Sequence, residues 1–215
     1  MFSKIKNNIK QFKENGINIA LKSPIMSNMA DDVCGMFALA KEFDVKIRVR
    51  FDMIPTVKNE SKANIQMNAK KAVELYATYA VDAYNSDASI LRKSMSNPNL
   101  RIGKHRYACG LGKCTCFIDY QGKVYPCIET RPLNIGISIF NENFKNIWNK
   151  IGEYSYEQRT GEGEKEYRCL TCKSVSICRC CPAIRERKNG SPLIVKDEDC
   201  EFTRELTEHI LKFSP

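Results

Sequence analysis

The sequence predicts an α+β protein. A fragment of parallel α/β structure, two β/α units long, precedes a cysteine-rich part built on a β-hairpin and short helices. Three observations predict this. Helix-period and strand-period apolar patterns alternate over residues 1–57. Tyr120-Gln121-Gly122 separates two short strand-like runs. Of the eleven cysteines, all but Cys34 fall between Cys109 and Cys200.

Phe2, Ile5, Ile9 and Phe12 recur at helical spacing, with Gly16 placed to end the helix. Ile17, Ile19 and Leu21 read as a strand. Asp31 and Asp32 favour the start of a second helix, whose apolar face is Val33, Phe37, Ala40 and Phe43. Val45, Ile47, Val49 and Phe51 alternate with Lys46, Arg48 and Arg50 as a strand that Pro55 ends. Two parallel strands and two helices leave a sheet edge open, so the gene is truncated or split, or another surface covers the edge. Residues 58–108 read as a helical connector. Asn59–Lys62 is polar, Ala63–Tyr84 is helix-prone with Val73, Tyr76 and Ala80 on one face, and Ser94–Asn99 is turn-rich around Pro98. Residues 109–215 form the cysteine-rich part. Phe117-Ile118-Asp119 and Lys123-Val124-Tyr125 make the hairpin, and Gly122 supplies the positive φ of its turn. Phe144, Ile147, Trp148 and Ile151 mark a short helix, and Phe202, Leu206, Ile210 and Phe213 a terminal one after Cys200.

Composition narrows the function. The chain has 215 residues, room for one or two domains, and its 43% hydrophobic content is that of a globular protein. No apolar run reaches membrane-spanning length. The start, MFSKIKNNIK, is charged and lacks the apolar core of a signal peptide, which predicts a cytoplasmic protein. In that reducing compartment eleven cysteines point to metal rather than disulfides, and an odd number cannot all pair. The net charge of +9 is spread along the chain without a basic–aromatic stripe, so neither nucleic acid nor membrane is expected as a partner. An acidic peptide, or plain solvation, accounts for it as well.

The chemistry lies in one ordered set of thiols. Cys109 is followed by twelve residues, Gly122, four residues and Cys127, and then come Cys169-x2-Cys172-x5-Cys178, Cys181 and Cys200. Thiolates suit soft metals and iron–sulfur clusters, at four per cluster. Together with Phe117-Ile-Asp-Tyr-Gln-Gly-Lys-Val-Tyr-Pro-Cys127, this order resembles the SPASM domain, the auxiliary-cluster domain at the C-terminus of many radical SAM enzymes. The segments INIALKSPIM and VKIRVRFDMIP resemble the last two strands of the radical SAM partial (β/α) barrel. The resemblance implies the downstream portion of a peptide- or protein-modifying enzyme.

It also implies ligands. The first [4Fe–4S] cluster takes Cys109, Cys127 and Cys181, with Cys114 or Cys116 as a fourth ligand. The second takes Cys169, Cys172, Cys178 and Cys200. This chain departs from the family at Cys181, which follows Cys178 after two residues instead of three, and Cys180 stands as its alternative. The family's catalytic Cys-x3-Cys-x2-Cys is absent from this sequence. The chain alone is therefore not expected to cleave S-adenosylmethionine, and would do so only with a partner chain that carries the missing barrel half. A peptide or protein is the implied substrate. The alternative is a zinc-stapled binding module without catalysis, since zinc also accepts four thiolates. Cys34 reads as a small buried hydrophobe, His105 and His209 as surface or capping groups, Asp119 as a turn-stabilising carboxylate, and Tyr125 and Trp148 as core.

Overall fold

The computed structural model describes residues 2–51, 65–97, 109–160 and 168–213. His105, Pro55, Pro98 and the polar stretch at 59–62 lie outside the described residues. The chain divides into two compact units, Met1–Asp87 with Glu208–Pro215, and Ala88–Thr207.

In the first unit the apolar period of the N-terminus becomes helix α1 (Phe2–Glu14), with Gly16 just beyond it at φ +70°. Only Ile9 of that period is buried, while Phe2, Ile5 and Phe12 stay exposed. Strand β1 (Ala20–Pro24) begins where the Ile17–Leu21 pattern was expected to end. It pairs in parallel with β2 (Lys46–Arg50), Leu21 opposite Ile47 and Ser23 opposite Val49. Between them runs α2 (Val33–Glu42), which packs on β2 and on α3 (Ala69–Tyr79). Asn68 caps α3 by accepting from the Lys70 and Lys71 amides at 3.0 and 3.3 Å.

The helix-prone stretch at 63–84 is not one helix. Ala80 takes φ −96°, ψ 46° and separates α3 from α4 (Val81–Ser96). Buried Tyr76 anchors the unit. Its ring meets those of Phe51 and Tyr84 edge-on, and its hydroxyl donates to Asp87 at 2.8 Å.

The second unit holds the expected hairpin, β3 (Phe117–Ile118) and β4 (Lys123–Tyr125), and an unexpected third strand, β5 (Ile137–Ser138), on the other edge of β4. The Asp119 carboxylate builds the turn, accepting from the Gln121 and Lys123 amides at 2.9 Å each. Gly122 has φ +72° as expected. Val124 is fully buried beneath Ile147 and Ile151 of α5 (Phe144–Thr160), with Trp148 half-buried against them. Beyond this come a 3-10 turn at Arg168–Thr171, another at Val175–Ile177, α6 (Pro182–Asn189) and α7 (Asp197–Phe213). The last begins before Cys200 rather than after it.

Gly136, just before β5, lets the Tyr125 ring approach the backbone closely, because a Cβ there would clash with that ring. Gly35, in α2, faces open space. Opposite outcomes are therefore expected in urea unfolding. Gly136→Ala should lose stability by about 1–3 kcal/mol from overpacking. Gly35→Ala should gain about 0.5–1 kcal/mol, since alanine is the better helix former.

Candidate metal centre

The thiols gather in two groups within the second unit. Strand β4 runs through Pro126 into Cys127, whose backbone is extended at φ −163°, ψ 164°. The Gly112 amide donates to the Pro126 carbonyl at 3.2 Å and holds the loop that follows Cys109 to this point. Cys127 caps a 3-10 turn, Ile128–Leu133. Its Sγ accepts from the Glu129 amide at 3.2 Å, and the Thr130 hydroxyl accepts from the Cys127 amide at 3.2 Å. Cys181 precedes α6, with Pro182 in the first turn, where its fixed φ suits a helix start. Helix α6 packs on the 128–133 turn, and Arg187 pairs with Glu129 at 3.8 Å. The half-buried Cys127 and Cys181 thus meet the same apolar pair, Leu111 and Ala183.

Electrostatics tie Cys109 to this group. Burial pushes the Cys127 thiol up. The Glu129 and Thr130 amides oppose the rise, and the Glu129 carboxylate and Cys109 add to it. Burial also pushes Cys181 up. The amides of Ile184 and Ala183 oppose this without closing a capping bond, while Cys127 and Glu129 reinforce it.

Cys114 and Cys116 have contacts of their own. Exposed Cys114 turns back on the Gly110 carbonyl at 3.8 Å. Cys116 packs against the Val124–Ile147–Ile151 cluster, as a small hydrophobe does.

The second group forms around α6 and the start of α7. Arg185 Nη1 donates to Cys169 Sγ at 3.4 Å, Thr203 Oγ1 to Cys178 Sγ at 3.6 Å, and Arg168 Nη2 to Cys200 Sγ at 3.6 Å. Arg185 is only 2% exposed. Burial pushes the Cys200 thiol up, Arg168 opposes this, and Cys178 and Cys169 add to the rise. Cys180 belongs to the same neighbourhood. Burial pushes it up to about 12, with Arg185 opposing and Cys178, Asp199 and Cys200 reinforcing. Cys172 is exposed, one 3-10 turn beyond Cys169, to whose carbonyl its amide donates at 3.2 Å.

Sequence reasoning missed Arg168, Arg185 and Thr203. Arg185 lies in the run Arg185-Glu186-Arg187-Lys188, which reads as a solvated charged face, and nothing in the pattern marks it as buried.

Hydrogen-bond donors around half-buried sulfurs are the surroundings that metal-bound thiolates require. The donor set therefore fits a thiolate-held centre. Among the described residues, no three or more His, Cys, Asp or Glu side chains are close enough to grip one metal ion.

Three other residues resolve. Cys34, in the first turn of α2, is exposed, not buried, and its proximity pushes the Tyr79 hydroxyl above its ordinary value. His209 is half-buried, bonds the Tyr84 hydroxyl through Nδ1 at 2.8 Å and lies tilted against the Phe213 ring. Asp119 also accepts from the Tyr125 hydroxyl at 3.3 Å and is committed to its turn.

No family model and no curated protein matches the chain. Among solved structures, Streptococcus suis SuiB bound to S-adenosylmethionine is similar, with a TM-score of 0.58 at 16% identity. The match covers 93% of this chain and 48% of that one, so the chain spans about half the length of that structure. The fold of this chain is similar to that part of the SuiB structure. No closed barrel forms among the described residues, whose sheets have two and three strands. No described helix is long and apolar enough to cross a membrane.

Burial raises the Asp119 carboxyl, but the Lys123 and Gln121 amides, the Tyr125 hydroxyl and Arg131 more than offset it and leave it below the ordinary value of 3.8. A depressed carboxyl stabilises the fold above its unfolded value and loses that contribution as pH falls through the folded one. The stability advantage of the parent over Asp119→Asn should be full at neutral pH and disappear below the carboxylate range. Urea midpoints taken down through that range measure it, and an advantage that persists in strong acid contradicts the assignment.

Proposed function

We propose that this chain binds two auxiliary [4Fe–4S] clusters as the SPASM-type portion of a radical SAM system that modifies a peptide or protein. The observation that carries the reading is the sorting of thiols from remote segments into two groups on a radical SAM-like fold. Cys109, Cys127 and Cys181 would hold the first cluster, with Cys114 or Cys116 as the fourth ligand that the resemblance implies. Cys169, Cys172, Cys178 and Cys200 would hold the second. Bound clusters would supply electron transfer, an anchoring iron or structural closure.

This chain's residues have defined tasks in that reading. The Glu129 amide, Arg168, Arg185 and Thr203 donate to sulfur and favour its thiolate form. Leu111 and Ala183 pack against Cys127 and Cys181 and shield them from water. The parallel pair β1–β2 offers strand edges to a chain carrying Cys-x3-Cys-x2-Cys, with which S-adenosylmethionine would be cleaved.

Anaerobic reconstitution with ferrous iron and sulfide tests the clusters. The protein should turn brown, with iron and sulfide in equal amounts, and Cys127→Ser should lose about half the iron, one cluster of two. A colourless protein holding stoichiometric zinc and no sulfide would establish the zinc module instead. Cleavage of S-adenosylmethionine should appear only on mixing with a chain that bears the triad.

A further inference from the structure

The parallel pair of the first unit carries like charges side by side. Side chains alternate between the two faces of a strand, so Lys46, Arg48 and the half-buried Arg50 share one face of β2. The register sets Lys22 directly across from Arg48, with Ala20 across from Lys46 and Pro24 across from Arg50. Lys22, Lys46 and Arg48 are exposed. Paired strands lie ~4.8 Å apart and alternate residues of one strand ~6.6 Å apart, so three cations crowd one small area. Like charges directly opposite each other destabilise a strand pair. Other lysines of this unit are neutralised from within the chain, Lys6 by Glu42 at 3.1 Å and Lys13 by Asp44 at 3.0 Å. Among the described residues, no carboxylate does the same for Lys22, Lys46 or Arg48.

We propose that this face binds an extended, acidic peptide segment with carboxylates at alternate positions. The spacing argues for it. A chain extended along β2 brings every second side chain to one side at the same ~6.6 Å repeat as Lys46 and Arg48. The guanidinium of Arg48 suits a carboxylate in bidentate geometry, and Lys22 adds a second cation from the neighbouring strand. The uncharged members of the face argue against nucleic acid. They are Ala20 and Pro24, and neither offers the aromatic surface on which bases stack. The proposal names the kind of peptide for the function proposed above and rests on that reading only for the peptide's being a substrate. Binding itself needs no iron.

Fluorescence anisotropy on the full, metal-free chain tests this at about 0.15 M salt, where charges more than ~8 Å apart are screened. The probe is a labelled peptide with glutamate at every second position. It should bind, and the same peptide with glutamine in place of glutamate should not. Arg48→Glu and Lys22→Glu should each weaken binding about tenfold, the worth of one charged hydrogen bond. Their urea midpoints should not fall, because each change replaces a cross-strand repulsion with an attraction. Lys145→Glu, an exposed change of equal charge in the other unit, should leave binding at the parent's level. Equal weakening by Lys145→Glu would show attraction to net charge alone and overturn the proposal. So would a parent that ignores the acidic peptide, or one that prefers a single-stranded oligonucleotide of equal charge. A parent that loads iron and ignores the peptide sinks this proposal alone. One that binds the peptide and takes up no iron sinks the cluster reading alone.

Discussion

The short bridge from Cys178 to Cys181, between a 3-10 turn and helix α6, organises the second unit. Cys178 accepts from Thr203 of α7, whereas Cys181 packs with Cys127 on Leu111 and Ala183. Arg179, between them, places its guanidinium 6.0 Å from the Phe202 ring. A single bridge can serve two groups because each has its own second support. The first is held by the capped turn after β4, and the second by the opening of α7.

Burial and hydrogen bonding pull the sulfurs in opposite directions. Desolvation raises Cys127, Cys180, Cys181 and Cys200, which makes them reluctant thiolates in the metal-free chain. Amides at two helical starts and two arginines work against that reluctance. The balance suits groups that ionise only when a metal replaces the proton, and it links loading to folding. Asp199 fixes the frame around the second group. Burial would raise its carboxyl, but the Lys196 amide, Lys188 and Asn189 hold it below the ordinary range, joining the end of α6 to the start of α7.

The legible parts of this chain were those written in short periods. The parallel pair, the first two helices and the hairpin with Gly122 follow from apolar spacing and one glycine, because local sterics and burial decide them. Strand β5 was hidden, since Ile137-Ser138 is too short to carry a period and exists only because β4 offers an edge. The break at Ala80 was hidden as well, because alanine is the best helix former and the interruption comes from tertiary packing. At the site, spacing named the cysteines but could not sort them. Cys116 looks like Cys114 in sequence and differs only in having Val124 and Ile147 to pack against. Arg185 looks like its solvated neighbours until the helix is turned toward Cys169.

The first unit poses the remaining physical question, that of a parallel pair with only two strands. Parallel strands ordinarily lie inside larger sheets covered on both faces. Here helices cover one side, where Val49 and Phe51 are buried. Register places Lys22 beside Arg48 on the opposite face, with Lys46 on that same side, and all three are exposed. A cationic face cannot be closed by an apolar layer without stranding those charges. It is compatible with water, or with a surface that brings anions. Any cover on this face must therefore be polar, and the partner chain proposed above would have to satisfy that charge.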